Sequence, residues 1–235
     1  MRILSLDTSG ASISVAAIDG ARVVFEAFER TGQTHSARLL TLVECALTAA
    51  GWSVGDVERI AVVVGPGSYT GVRIGVSTAR GLAQALGIPC VGLDALEALA
   101  AQAVGLGYGL VCPLLDARAG QVYGAAFDCG GDAPKRLMGD EACPLDTLLD
   151  AVQARASADN RPIVFTGEGA AATRGGVVGR FGERALILPE SLLYPRASAA
   201  ALLAMNRPVV AYNELIPLYL RAPQAERERI AREGV

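Results

Sequence analysis

Histidine and paired cysteines are scarce in this sequence. His35 is the single histidine among 235 residues, so a metal site that needs two imidazoles cannot form within the chain. The five cysteines are an odd number, and none belongs to a Cys-x-x-Cys pair. We therefore expect reduced thiols rather than a disulfide framework or a cysteine-bound zinc ion.

Long apolar runs and an excess of basic charge are also missing. The longest apolar runs, such as residues 60–64, have the length of a strand and fall far short of the ~20 residues that span a bilayer. Asp7 comes too early for an apolar export signal, so we expect a cytoplasmic protein without a membrane segment. The net charge of −3 argues against a broad surface for independent binding of nucleic acid. Because 51% of the residues are hydrophobic, a sizeable folded core is expected.

The order of the predicted elements indicates an α/β protein of two units. Three strands open the chain, a helix follows from His35 to Ala50, and alternating strands and helices continue to about residue 105. Three glycines within 105–109 mark a junction between an N-terminal α/β domain, 1–106, and a reduced C-terminal α/β domain, 107–235. The second unit repeats the first weakly, with an irregular segment predicted at 129–144. A charge-rich helix is predicted at 223–233, and its docking on the first domain is left open.

A polar turn follows the first predicted strand. Asp7, Thr8 and Ser9 stand between two apolar strands. Hydroxyls and backbone N–H groups in such a turn can face a phosphate, and the carboxylate can hold a hydrated magnesium ion. The simpler interpretation is a hairpin whose polar groups satisfy its own backbone.

A glycine-rich segment connects a predicted strand to a predicted helix. Glycines here permit a tight turn, and the N-terminus of the following helix suits an anion. The spacing matches neither the Walker motif nor the dinucleotide fingerprint. A vestigial nucleotide or phosphate loop and a purely structural turn both remain open. The candidate residues of this loop, with those of the turn, are Asp7, Thr8, Ser9, Gly65, Gly67, Ser68, Thr70, Gly71 and Arg73.

Four segments together closely resemble the TsaB family. They are Leu6-Asp7-Thr8-Ser9, His35-Ser36 with the leucines that follow, Gly65-Pro66-Gly67-Ser68-Tyr69-Thr70-Gly71-Val72-Arg73-Ile74-Gly75, and Pro217-Leu218-Tyr219-Leu220-Arg221. The resemblance implies an actin-like/Hsp70-like ATPase fold, which is ribonuclease H-like, with two related halves of which the second is reduced. It also implies a non-catalytic role in bacterial synthesis of threonylcarbamoyladenosine on tRNA. The implied partners are the catalytic paralogue TsaD and the ATPase TsaE, with tRNA met indirectly through the complex.

The resemblance further implies that this chain lacks the metal site of its catalytic paralogue. That paralogue carries a His-x-x-x-His segment after a strand. Aligning residues 89–99 on that segment places Ala95 and Leu99 where the two imidazoles would stand. Aliphatic side chains cannot coordinate a metal, so no metal site and no catalytic residue is predicted here.

Two helices are the predicted partner surface. The helix that His35 opens has more apolar positions than one buried stripe requires, which favours an interface, although a role in the core alone stays open. No serine, cysteine or carboxylate motif surrounds His35, so capping or interface hydrogen bonding is favoured over general base catalysis. In the resembled family this helix and the following small-residue helix form the pairing surface. The candidates are His35, Ser36, Leu39, Leu40, Leu42, Val43, Leu47, Val72, Gly75, Val76, Ala79 and Ala83.

The leading hypothesis is therefore a scaffold subunit, a pseudoenzyme that forms a heterodimer with its paralogue. No cofactor is predicted, although weak binding of ATP or ADP stays open, as does a homodimer when the partner is absent. The first alternative is an ATP-dependent small-molecule kinase of the same fold, which would use Asp7 and the Gly65 loop. The second is a peptidase, which the missing serine-histidine-acid pattern disfavours.

Overall fold

A computed structural model describes residues 1–30, 32, 34–156 and 161–221. The helix predicted at 223–233 lies outside the described residues. No helix in the described part of the chain is both long and apolar enough to cross a bilayer. All five cysteines lie within it and are free thiols, as predicted.

The first half is a five-stranded sheet with helices on both faces. Its strand order is β3-β2-β1-β4-β5, in which β1, β2 and β3 pair antiparallel and β1, β4 and β5 pair parallel. The elements are β1 (Arg2–Asp7), β2 (Ile13–Asp19), β3 (Arg22–Glu29), α1 (His35–Ala50), β4 (Arg59–Gly65), α2 (Tyr69–Leu86), β5 (Cys90–Asp94) and α3 (Ala95–Ala101).

The second half repeats this topology. Its order is β10-β9-β6-β7-β8, again with one antiparallel meander and parallel strands beside it. The elements are β6 (Leu110–Asp116), β7 (Gln121–Asp128), β8 (Lys135–Pro144), α4 (Leu145–Gln153), β9 (Ile163–Thr166), α5 (Glu168–Ala172), α6 (Arg174–Phe181), β10 (Ala185–Ile187) and α7 (Ala197–Ala204). Two related halves with this topology are the actin-like ATPase fold, as expected.

Helix α1 illustrates how the sequence sets the element bounds. It runs from His35 to Ala50, as predicted, and ends where Gly51 takes a left-handed conformation with φ 68°. Gly51 can adopt this conformation without the steric cost that a side chain would add. Leu39, Leu42 and Val43 lie on the buried side of the helix, packed on the first sheet.

The prediction of an irregular segment at 129–144 is wrong for most of its length. Residues 135–144 form β8, which pairs antiparallel with β7 at the edge of the second sheet. Its register with β7 shifts twice, and most of its side chains are not buried. The alternation that would mark a half-buried strand is therefore broken in the sequence.

A shared helical layer joins the two halves. Helix α3 contacts β6 and β7 of the second sheet, whereas α7 contacts β1, β2 and β4 of the first. One apolar cluster accordingly includes Ile3 and Leu93 of the first half, Leu115 and Phe127 of the second, and Ala200 of α7. The boundary at 106/107 separates the two sheets, but residues 197–221 return to the first sheet. Val210, for example, pairs with Cys90 at the edge of β5.

Candidate functional site: the cleft between the halves

Equivalent strands of the two halves end in the same local turn. At the end of β1, the Ser9 backbone N–H and hydroxyl donate to Asp7 Oδ1 at 2.8 and 2.7 Å. At the end of β6, the Arg118 backbone N–H donates to Asp116 Oδ1 at 2.8 Å. Aspartate favours such turns because its carboxylate bonds the backbone two residues on. The turn predicted at Asp7 therefore satisfies its own backbone, and the second half carries a copy of it.

The glycine segment packs tightly on the first of these turns. A Cβ atom at Gly67 would lie 2.2 Å from the Ser9 carbonyl oxygen, and one at Gly71 would lie 2.1 Å from that of Thr8. The Ser68 N–H donates to the Ser9 carbonyl at 2.7 Å, so the start of α2 already serves a structural contact. These contacts favour the structural interpretation of the loop. The second half repeats the arrangement at Gly167, where a Cβ would lie 2.1 Å from the Leu114 carbonyl oxygen.

These loops surround a cleft of about 680 Å³ between the halves. Five residues singled out from the sequence line it: Ser9, His35, Gly67, Ser68 and Thr70. The remaining lining residues are Gly10, Ala11, Tyr69, Leu115, Asp116, Ala117, Arg118, Tyr123, Glu168, Leu218, Tyr219, Leu220 and Arg221.

Most of the second wall of the cleft was not predicted from the sequence. The signal that could have found it is the repeat itself. Asp116 ends an apolar strand as Asp7 does, and Gly167 directly follows β9 much as Gly65 ends β4. In an actin-like arrangement, the equivalent ends of equivalent strands face each other, so the turn at 116–120 and the start of α5 belong to the same cleft.

Several predicted loop residues do not reach the cleft. Asp7, Thr8, Gly65 and Gly71 are buried beside it. Arg73 is on the exposed side of α2, where its guanidinium lies 4.1 Å from the Tyr69 ring centre and its Nε donates to the Tyr219 hydroxyl at 3.0 Å. Arg73 is therefore not among the residues that line the cleft, and its phosphate-binding role stays a prediction.

Asp7 is a buried acid in an unfavourable environment. Burial raises its pKa to about 6, although the two hydrogen bonds from Ser9 and the nearby His35 act to lower it. Its second oxygen, Oδ2, is buried and has no partner within the described residues. Because folding raises this pKa, the stability linked to the protonated carboxyl is lost as the pH rises from about 4 through 6.

Two contacts tie the walls of the cleft together. The Ala11 backbone N–H donates to the Glu168 carboxylate, and burial raises the Glu168 pKa against the effect of that bond. The Arg221 guanidinium donates to the carbonyls of Ala117 and Arg118. Arg118 and Ala119 both have positive φ, at 64° and 53°, so this turn is strained where Arg221 holds it.

His35 lies at the rim in a structural role. Its Nε2 is 3.1 Å from the Gly10 carbonyl oxygen, and therefore carries the hydrogen in this contact. The ring thus joins the start of α1 to the turn after β1. Ser36 beside it is exposed, and no described contact joins the two side chains. Capping and positioning fit this geometry better than activation of a nucleophile.

Most of the predicted partner surface belongs to the core of this chain. Eight of the twelve candidates are buried, namely Leu39, Leu42, Val43, Val72, Gly75, Val76, Ala79 and Ala83. They pack α1 and α2 on the first sheet and are core positions within this chain. His35 and Leu47 are half-buried, Ser36 is exposed, and Leu40 is 55% exposed. Helix α1, which has apolar residues around its circumference, thus buries one face in the core and exposes Leu40 on another.

The two positions at which the resemblance predicts a missing metal site are also core positions. Ala95 and Leu99 are fully buried in α3, within the layer between the sheets. Among residues 1–30, 32, 34–156 and 161–221, no group of three or more histidine, cysteine, aspartate or glutamate side chains is arranged to hold a metal ion.

Comparison with known proteins gives a consistent family. Residues 29–228 match the model of the family described as TsaD, tRNA N6-adenosine threonylcarbamoyltransferase. The chain is 31% identical over 226 residues to the tRNA threonylcarbamoyladenosine biosynthesis protein TsaB of Bacillus subtilis, covering 96% of each. It is 39% identical over 128 residues to the TsaB protein of Escherichia coli, covering 54% of this chain and 55% of that protein. A Pseudomonas aeruginosa structure described as similar to peptidase YeaZ is 29% identical with a TM-score of 0.79, covering 94% of this chain and 99% of that one.

Proposed function

This chain belongs to the TsaB family of tRNA threonylcarbamoyladenosine biosynthesis proteins, and from that premise we propose that it is the non-catalytic scaffold of a tRNA-modifying complex. In that complex it pairs with a TsaD-like catalytic paralogue and works with a TsaE-like ATPase. It meets tRNA through the complex, in the cytoplasm, and no cofactor of its own is required.

One observation carries the proposal. The family model that covers residues 29–228 is named for a transferase, yet the positions aligned here with the paralogue's metal ligands hold Ala95 and Leu99. Both side chains fill the core, so replacing them by imidazoles would disrupt packing rather than restore an open site. This supports a chain that retains the fold of a catalytic relative and contributes surface instead of chemistry.

The exposed side of α1 is the proposed surface for the paralogue. Leu40 is the most exposed large apolar side chain of α1, and Ser36 lies one turn before it. Apolar side chains that a folded chain leaves in water are typical of protein interfaces. When the paralogue is absent, the same side of α1 is the proposed contact in a homodimer.

The test is reconstituted threonylcarbamoyl transfer to tRNA. We expect transfer to require this chain together with the paralogue and the ATPase. Transfer by the isolated chain, or full activity of the paralogue without it, would refute the scaffold role.

Leu40→Glu tests the surface separately. We expect this variant to weaken complex formation, measured by analytical ultracentrifugation, and to lower transfer in parallel, because a buried charge opposes association. Leu137→Glu is the matched control, since Leu137 is 41% exposed on β8 of the other half. An equal loss of binding in both variants would contradict a specific contact at Leu40.

The kinase alternative rests on the cleft itself, whose volume and paired turns suit a small molecule. Calorimetric titration with ATP and magnesium distinguishes it, since micromolar affinity corresponds to about −8 kcal/mol. Such affinity would favour the kinase, whereas the scaffold requires none. The peptidase alternative requires hydrolysis of a peptide substrate by the isolated chain.

A further inference from the structure

A largely buried pair of carboxyl groups joins the edge strands of the two sheets. Asp94 ends β5, the edge strand of the first sheet, and Asp140 lies in β8, the edge strand of the second. Their side chains are only 14% and 11% exposed. Neither residue lines the cleft described above.

One arginine contacts both carboxyl groups. Arg136 Nη2 lies 3.4 Å from Asp94 Oδ1, and Arg136 Nη1 donates to Asp140 Oδ1. The guanidinium stacks 4.5 Å from the centre of the Phe127 ring, so the neighbouring strand β7 fixes its position. Asp94 also accepts a hydrogen bond from the Glu97 backbone N–H at 2.8 Å, which holds its carboxyl group at the start of α3.

The charges around this pair do not balance without a proton. Glu97 is occupied by Arg207, which donates to its carboxylate. This leaves Arg136 as the cation for two shielded carboxyl groups, which also hydrogen-bond to each other. A hydrogen bond between two carboxyl groups needs a proton on one of them, and two like charges that share one arginine disfavour double ionisation. Burial and Asp140 accordingly raise the pKa of Asp94 to about 8.

We propose that Asp94 and Asp140 share one proton beneath Arg136, and that this proton fastens β5 of the first half to β8 of the second. When it leaves, two carboxylates face one guanidinium, and the contact between the two edge strands loosens. Because folding raises the pKa of Asp94, the stability supplied by the proton is complete in acid and is lost as the pH rises through about 8. The contact between β5 and β8 thereby becomes sensitive to pH without any change in the residues that line the cleft.

The first experiment is a titration of the full-length protein. The aspartate side-chain carboxyl carbons are followed by NMR from pH 3 to pH 9.5. We expect the Asp94 carboxyl group to titrate near pH 8. If every aspartate carboxyl group titrates below pH 6, both members of the pair are ionised at neutral pH and the proposal is wrong.

The second experiment measures how firmly β8 is held. Hydrogen exchange of the β8 amides, corrected for intrinsic rates, is expected to rise at least threefold between pH 7 and pH 9. Asp140→Asn keeps a hydrogen-bond donor beside Asp94 and removes one charge, so this rise should disappear and the titration near pH 8 should be lost. Asp146→Asn is the control, because that carboxyl group is 85% exposed on α4, and it should behave like the unchanged protein.

These measurements distinguish the proposed proton from an arrangement in which Arg136 pairs with two ionised carboxylates. Identical exchange in the unchanged protein and Asp140→Asn across this pH range would overturn the fastening role. Should Asp140→Asn fail to fold, the titration of the unchanged protein decides alone. None of these measurements depends on the proposed role in tRNA modification.

Discussion

Gly71 has a packing role that helix propensity alone would not suggest. It stands in the first turn of α2, where alanine is a better helix former by about 1 kcal/mol. A Cβ atom there would lie 2.1 Å from the Thr8 carbonyl oxygen, which is backbone and cannot rotate away. The residue therefore allows the helix to lie directly on the turn that follows β1.

Gly71→Ala is expected to lower the free energy of unfolding by about 1–3 kcal/mol, the usual range for forcing an atom into a packed site. Gly81→Ala in the same helix is the matched control, because nothing lies within 4 Å of a Cβ at Gly81. The control should raise the free energy of unfolding by up to about 1 kcal/mol. Urea denaturation measures both, and equal stability of the two variants would contradict this account.

Individual side chains show what the sequence could specify. Asp7, Ser9 and Gly67 were expected near one another, and the structure brings them together because β1 and β4 pair in parallel and end on the same side. The direction of Arg73 could not be predicted without the start of α2. Because the helix begins at Tyr69, four residues earlier, Arg73 stacks on that ring.

Among the elements, strands with regular apolar patterns were predictable and β8 was not. β1 is the first of the three strands predicted at the start of the chain, and four of its six residues, Ile3, Leu4, Ser5 and Leu6, are buried and apolar or small. β8 contains Gly139, charged residues and two register shifts, so its pairing depends on β7 rather than on its own pattern. The same dependence on tertiary contacts explains the buried positions of α1 and α2 that were expected at an interface.

The segment that follows α7, residues 205–221, contacts both halves of the protein. The Leu218 N–H donates to the Val64 carbonyl of the first half at 2.7 Å, and Arg221 then holds the carbonyls of Ala117 and Arg118 in the second. Residues 218–221 also line the cleft. The strained turn at 116–120 is consequently supported from outside its own hairpin.

Arg221→Ala is expected to speed amide exchange in residues 116–121 by about tenfold or more, because hydrogen bonds from a charged donor contribute about 1.5–3 kcal/mol. Arg174→Ala serves as the control, since Arg174 is exposed on α6 at a distance in sequence from residues 205–221. Exchange measured by mass spectrometry should change only in the first variant. Unchanged exchange at 116–121 would show that the hairpin holds this turn by itself.

At the scale of the whole molecule, the two halves are not independent. Helix α7 covers the inner face of the first sheet, and α3 covers that of the second. The order of predicted strands and helices indicated two α/β units, and the resemblance to the family implied the actin-like topology. The packing of α7 on the first sheet could not be predicted from the sequence, because apolar residues like those of α7 occur in any buried helix.

The fragment 1–106 is therefore expected not to unfold cooperatively by itself. Without α7, Ile3, Val63 and Leu93 would lose the apolar layer that buries them. Circular dichroism during urea titration should show a broad change, and adding the fragment 107–235 should restore a sharp one. A sharp transition of 1–106 alone would mean that the first sheet is stable without its cover.

The position of α7 also has a consequence for synthesis on the ribosome. The first sheet is translated within the first 94 residues, but the helix that covers it ends at Ala204. More than a hundred codons thus separate the exposed apolar face from its cover, which at about 5–20 residues per second amounts to several seconds. During that interval the apolar face of the first sheet is exposed on the nascent chain, and we expect chaperones that bind nascent polypeptides to bind it.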